Sequence, residues 1–215
     1  VHYFVKEVEV GIADFELPGG VVLVDTPGLD DIVEYRSNIT KEYINRADAV
    51  LVCVKADALT GPEMTTICGA FANALYNPEK IYIVATQVDT LNRPVENWKE
   101  QQEEWIKYLK GTNAYNSQEL AEKNLIPVSA YLYTLLKNYQ SYGEDDERLW
   151  DLDSILCKMK IKVDKLVNHP NEYKNLVDFT KIDFLKAELR REIIDKRETI
   201  RVESIKSSYD LCKEE

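Results

Sequence analysis

Val21-Val22-Leu23-Val24 runs directly into Asp25-Thr26-Pro27-Gly28, and no other stretch limits so strongly what this chain can fold into. Four apolar, mostly β-branched residues, entered from Pro18-Gly19-Gly20 and left through Pro27-Gly28, predict a strand buried on both faces that stops abruptly. In open α/β sheets ligands bind beyond the carboxyl ends of the strands, so Asp25 stands where a cation can be held, directly or through water. Gly28 has no Cβ, and its N–H can come close to a phosphate oxygen. A core strand ending in a Pro-Gly turn explains the same residues equally well, so the other strand ends decide the matter.

Upstream, Val8, Val10, Ile12, Phe15 and Leu17 roughly alternate with polar residues, which predicts a strand over 5–17 with one solvated face. With the turn at 17–20 it makes an antiparallel hairpin with 21–25, because the connection is too short for a crossover. Residues 29–37 are polar and irregular and are expected to be mobile. A short helix follows over 38–46, with Ile39, Tyr43 and Ile44 inward. Residues 49–54 predict a second fully buried strand. Thr60-Gly61-Pro62-Glu63 reads as a capping box opening a helix with Met64, Ile67, Cys68, Phe71 and Leu75 on one face. The next strand, 80–86, ends in Thr86-Gln87-Val88-Asp89, and a long helix after Pro94 carries Val95, Trp98, Trp105 and Leu109 at helical spacing. Glu100, Glu103 and Glu104 are its solvated face. A last short strand over 125–128 closes on Ser129-Ala130 and a helix through Leu136. Residues 141–147 are charged and predict a surface loop or linker, with helix over 152–163 and a long charged helix from Ile182 onward. Alternation of strands and helices at this spacing gives an α/β fold, a mostly parallel sheet with one antiparallel hairpin.

The net charge of −11 argues against a nucleic-acid partner, since phosphate binding needs a basic face. No apolar run reaches the length of a membrane span, and the chain reads as soluble. Cys53, Cys68, Cys157 and Cys212 form no C-x-x-C pair, and two of them lie in apolar runs where a reduced thiol packs as a small hydrophobe, which points to a reducing, cytoplasmic compartment. His2 and His169 are the only histidines, too few for a zinc site or a histidine triad.

Three strand ends therefore carry polar clusters, and one explanation covers all three. Asp89 can accept two hydrogen bonds from the ring N–H and exocyclic amine of guanine, a match that adenine does not return. The backbone N–H of Ala130 can meet the guanine carbonyl, with Ser129 bracing that loop. On Val-Asp-Thr-Pro-Gly-Leu at 24–29, Ile-Thr-Lys-Glu-Tyr-Ile at 39–44 leading into Ala47-Asp48-Ala49-Val50, Thr-Gln-Val-Asp at 86–89 and Pro-Val-Ser-Ala at 127–130, the sequence resembles the GTPase domains of the dynamin superfamily, in particular the bacterial dynamin-like proteins.

The resemblance covers about residues 5–135 and implies a Ras-like P-loop NTPase-type three-layer fold with a C-terminal helical extension. It divides the chain into 1–140, the C-terminal two-thirds of a GTPase domain, 141–180, a linker with accessory helices, and 181–215, a long helix leading toward a stalk. It implies that Asp25 holds magnesium through water, that Thr26 belongs to the nucleotide site, that Gly28 touches the terminal phosphate, and that Thr86, Gln87, Asp89, Ser129 and Ala130 frame the base. Gln87 stands where the family has Lys; its methylenes can still cover the purine, without the cation. The implied partners are GTP and GDP, further copies through the GTPase domain and stalk, and a membrane reached through segments not present in these residues. Nowhere in 215 residues is there a G-x-x-x-x-G-K-[ST] loop, and no switch threonine precedes the first hairpin. Residue 1 is Val, and the expectation is that the N-terminal part is missing from this chain or supplied by another, so that the chain alone is inactive. Two rivals remain: a non-catalytic pseudo-GTPase acting as a binding or regulatory module through its long helix, and a structural interaction protein with an incidental α/β core.

Overall fold

The computed structural model describes residues 10, 21–29, 34–57, 59, 61–74, 77–163, 166, 169–191 and 202. Three strands, β1 (Val50–Lys55), β2 (Ile81–Thr86) and β3 (Leu125–Pro127), form one parallel sheet in that order. Val50 pairs with Ile81, Lys55 with Thr86 and Ala85 with Pro127, so the carboxyl ends are nearly level. The run from Ile81 to Ala85 is buried throughout, as a central strand covered on both faces requires. Successive side chains point to opposite faces, which sorts the apolar residues into two sets. Val52, Val54, Ile81, Ile83 and Ala85 share a core with Ile67 and Ala70 of α2 (Gly61–Ala72) and with Trp98, Trp105 and Leu109 of α3 (Pro94–Leu109). Tyr82, Val84, Ile126 and Val128 face the other way, onto Ile182 and Leu185 of the helix Ile182–Leu189. Helix, sheet and helix make three layers.

The predicted strand at 21–25 is not formed. Residues 21–28 carry no strand pairing, and Val22, Leu23 and Val24 are 79%, 60% and 48% exposed. A strand buried on both faces needs a neighbour along its edge, and the described residues supply none. The other arm of the expected hairpin lies outside the described residues apart from the exposed Val10. β1, expected to be fully buried, is covered on one face only: Val52 and Val54 are buried, whereas Leu51 and Cys53 on the opposite face are exposed, beyond the cluster of Tyr82, Val84, Ile126 and Val128. Cys68, expected inward, is also exposed, as is Val95. The first helix, α1 (Glu34–Arg46), begins earlier than predicted, so 34–37 is helical rather than irregular, with Ile44, Ser37 and Thr40 buried. Thr60 of the expected capping box and Leu75 lie outside the described residues.

Downstream, α4 (Gln118–Asn124) is capped by Ser117, whose side chain accepts from the Leu120 N–H. A second apolar core brings together Leu132, Leu135 and Leu136 of α5 (Ala130–Asn138), Leu152, Ile155 and Leu156 of α6 (Glu147–Lys158), and Leu176 and Val177 of α7 (Pro170–Phe179). Asp146 caps α6 by accepting from the Arg148 N–H at 3.0 Å, and hydrogen bonds from Arg148 hold its carboxyl below the usual carboxylate range. This helix starts before the predicted residue 152 and stops at Lys158, because Lys160 takes a left-handed backbone (φ 60°). Lys181, likewise left-handed at φ 55°, separates α7 from α8 (Ile182–Leu189). The predicted continuation of that helix beyond residue 191 lies, apart from Val202, outside the described residues.

Tyr115 ties the turn after α3 to the sheet by donating to the Ile81 carbonyl at 2.7 Å, and Asn124 Nδ2 donates to the same oxygen at 2.9 Å. Burial pushes the Tyr115 phenol far above its ordinary value. In the unfolded chain this phenol loses its proton near pH ~10, whereas the native state retains it. Its contribution to stability is therefore intact below that pH and lost as pH rises. Tyr115→Phe should cost about 1 kcal/mol at neutral pH, since Asn124 still serves the carbonyl, and should flatten the loss of stability above pH ~10, as read by urea unfolding across pH.

Candidate functional site

Polar residues collect beyond the carboxyl ends of the strands in two groups. The first is built on β2 and β3. Thr86 Oγ1 donates to the Val54 carbonyl at 3.1 Å, and the Ala56 N–H donates to the Thr86 carbonyl, so the end of β2 is fastened to β1. Gln87 then takes a left-handed backbone, φ 61°, which a non-glycine residue adopts at a cost, and the chain turns sharply into the single helical turn Val88–Thr90. Both the N–H and the hydroxyl of Thr90 donate back to the Gln87 carbonyl, holding the turn closed.

That turn carries Asp89 inward, to 3% exposure. Its N–H donates to Ser129 Oγ at 3.2 Å, while its carboxylate Oδ1 is enclosed without any hydrogen-bond partner. Leaving a carboxylate oxygen in this condition is costly and uncommon in folded proteins. Ser129 is wholly buried, and its N–H donates to the Thr180 carbonyl at 3.1 Å, which connects the loop to the junction of α7 and α8. Ala130 opens α5 and is exposed; its N–H is among the first-turn donors that a helix leaves without an internal acceptor. Thr86, Gln87, Asp89, Ser129 and Ala130 are thus gathered at one end of the sheet.

The second group is Asp25, Thr26 and Gly28. Asp25 and Gly28 are exposed and Thr26 is half-buried. Two hydroxyls of α1 fix the backbone around Gly28: Thr40 Oγ1 donates to the Pro27 carbonyl and Ser37 Oγ to the Leu29 carbonyl, each at 2.6 Å. The Leu29 side chain rests on α2, with its Cδ1 3.3 Å from where a Cβ on Gly69 would stand. Around Gly28 itself a Cβ would meet nothing within 4 Å, so the backbone there is open to a ligand. Cys53 on β1 is exposed, yet the atoms packed round its sulfur raise the thiol pKa, and the Asp25 carboxylate raises it further. The two groups therefore meet β1 at adjacent residues, Cys53 beside Asp25 and Val54 bonded to Thr86.

Among the described residues no three His, Cys, Asp or Glu side chains gather as a metal centre. Asp25, a single open carboxylate, fits only a cation that arrives on a phosphate and keeps most of its waters, which is how magnesium behaves. The sequence did not single out Ser37, Thr40 or Thr180. Ser37 and Thr40, spaced i,i+3, lie on one face of α1, and that spacing was the available signal.

A parallel sheet between helices, with its polar loops at the carboxyl ends, is compatible with a P-loop NTPase-like fold. Residues 5–84 match the model of the dynamin family. Dynamin-like protein 1 of Campylobacter jejuni subsp. jejuni serotype O:23/36 (strain 81-176) is 31% identical over 90 residues, 41% of this chain and 12% of that protein. A protein described as "Uncharacterized protein in xynA 3'region" of Caldicellulosiruptor sp. (strain Rt8B.4) is 29% identical over 90 residues, 41% of this chain and 21% of that protein. The aligned part is thus about a fifth of the length of one relative and about an eighth of the other. No solved structure matches. Over residues 5–84 the chain is thus similar to the dynamin family that the resemblance named. The family match includes Asp25, Thr26 and Gly28 and ends before Thr86.

Proposed function

We propose that this chain is the guanine-nucleotide-binding part of a dynamin-like GTPase whose parent protein hydrolyses GTP to GDP and phosphate. The observation that carries the reading is the buried Asp89 with its unpartnered Oδ1, held by Ser129 beside the open start of α5. Guanine presents a ring N–H and an amine that satisfy such a carboxylate together, and adenine leaves it unpaired, so the site selects its base by the cost of the wrong one. The Ala130 N–H serves the guanine carbonyl, and Thr86 and the Gln87 stem border the ring. Thr26 and Gly28 face the phosphates, with the Gly28 N–H on the terminal one. Asp25 would hold, through water, a magnesium ion that accompanies the nucleotide, and that ion would supply neutralisation of charge on the phosphate oxygens.

The phosphate cradle comes from outside these residues, on a strand set against β1. The place of β1 at the edge of the sheet, and the exposed, unpaired apolar residues Val22, Leu23 and Val24, support a place for such a strand. The chain alone is therefore inactive and the parent active. The parent's self-association through the GTPase part (1–140) and a stalk reached by 181–215, with accessory helices at 141–180, belongs to the same proposal, as do membrane remodelling and a cytoplasmic, peripheral location. A non-catalytic binding module of the same fold is the second reading, favoured by the lack of a phosphate loop in these 215 residues.

Calorimetric titration of GTP, GDP and ATP with magnesium into this chain and into the full-length parent separates these readings. Guanine-selective binding and phosphate release by the parent, with weak or no binding by this chain, is the expected result. Guanine binding without phosphate release selects the second reading, and a parent that binds no guanine nucleotide overturns both.

A further inference from the structure

A cavity of about 470 Å³ is walled by β3, the last strand of the sheet, and by α3, α4 and α8, and its volume is that of a small-molecule site. Its apolar wall is largely aromatic, with Trp98 of α3, Phe179 at the end of α7 and Phe184 of α8. Trp98 is 7% exposed, and its indole N–H is buried without a hydrogen-bond partner among the described residues. An indole N–H only donates, and leaving it unmet is costly, so the wall calls for an acceptor. The charges around the cavity do not cancel. Glu122 accepts from Gln118 Nε2 at 2.8 Å and Glu188 pairs with Arg191 at 2.6 Å, so both carboxylates are engaged. Lys181, in its left-handed turn between α7 and α8, holds its ammonium 5.6 Å from the centre of the Phe184 ring and forms no ion pair among the described residues.

We propose that this cavity binds a small aromatic carboxylate, its ring against Trp98, Phe179 and Phe184 and its charge serving the Trp98 N–H and Lys181, and that occupancy changes the affinity of the base site. A neutral molecule leaves the ammonium unmatched and a cation opposes it, whereas an anion with an apolar body answers the donor, the charge and the rings together. The cavity also touches both segments that place the base-binding residues. Val88, 2% exposed, lines it and immediately precedes Asp89. Phe179 and Lys181 line it and flank Thr180, whose carbonyl accepts the Ser129 N–H. A ligand packed on these walls restrains Asp89 and Ser129 at once. This coupling rests on the nucleotide-binding reading above, whereas the cavity's choice of ligand does not. Coupling of this kind is reciprocal, so GDP changes the affinity for the carboxylate by the same factor.

The test titrates 2-naphthoate, and 2-naphthamide as its neutral counterpart, into the full-length parent by calorimetry, using the unaltered protein, Lys181→Gln and Trp98→Phe. The Lys181 side chain is exposed, so its replacement leaves the fold in place. The unaltered protein should bind the naphthoate with a Kd below about 1 mM and the amide about tenfold more weakly. Each variant should weaken the naphthoate about fivefold or more, with Lys181→Gln leaving the amide within about twofold. Saturating naphthoate should shift the Kd for GDP by about threefold or more. No binding of the naphthoate, an amide that binds as well as the acid, or variants that bind the naphthoate undiminished overturn the proposal, as does a GDP affinity that saturation leaves unchanged. A parent that binds the naphthoate as expected and no guanine nucleotide removes the functional reading, with the coupling, and upholds the cavity's ligand.

Discussion

Asp89→Asn in the parent protein is expected to lower GDP affinity about a hundredfold or more while leaving the melting temperature unchanged or slightly raised. The carboxylate is acceptor-only and meets two guanine donors, whereas the amide offers one acceptor and sets a donor against the other guanine donor. Hydrogen bonds to a charged group contribute about 1.5–3 kcal/mol each, so losing one and opposing the second accounts for two decades in Kd. Xanthine carries a carbonyl where guanine has its amine, and the variant should recover affinity for xanthosine diphosphate. Stability should not fall, because Oδ1 has no partner in the protein to lose and a neutral amide is cheaper to bury than a charge. Calorimetry with both nucleotides and a thermal melt decide it; undiminished GDP binding would remove Asp89 from the base site.

Trp105→Ala should cost about 3–5 kcal/mol and lower Tm by roughly 10 °C or more, the largest loss expected from a single core position. Trp105 is 1% exposed, stacks edge-on against Trp98 at 5.6 Å between ring centroids, and lies in the core that joins α3 to the sheet. Its removal leaves a void that neighbours cannot close, because α3 is fastened at its far end by Leu109, itself fully buried. Trp105→Phe separates volume from polarity. The indole N–H is buried without a partner, so Phe removes an unsatisfied donor while retaining one ring, and its cost should be well below that of Ala. A denaturant titration of both variants provides the comparison, and equal losses would mean that the ring volume is not what matters here.

What could be read in the sequence follows from where each residue finds its neighbours. β2, β3 and α3 were legible because their partners lie among the described residues: the apolar run 81–85 is flanked by strands on both edges, and Trp98, Trp105 and Leu109 repeat at the period that buries them together. Residues 21–24 are as apolar as the run 81–85 and have no strand beside them among the described residues, so composition alone promised burial that the described structure does not deliver. β1 fails by half because only the face carrying Val52 and Val54 is covered among the described residues. At the candidate site, the grouping of Thr86, Asp89, Ser129 and Ala130 followed from strand ends, which topology brings level. The hydroxyl clamps of Ser37 and Thr40 and the bond from Ser129 to Thr180 did not, because each depends on a helix orientation that no local pattern states.

The open flank of β1 also bears on how a chain like this behaves when produced by itself. Each strand pairs with the one before it, so the sheet grows in one direction and no later strand among the described residues returns to cover the first. A bare row of strand amides and carbonyls is a template for another molecule's strand, and the uncovered Leu51 adds an apolar contact beside it. Against that stands mutual repulsion from a net charge of −11, which acts at long range and fades as salt is added. Colloidal behaviour is then a contest between a short-range adhesive edge and a long-range negative field, and ionic strength tips it toward precipitation.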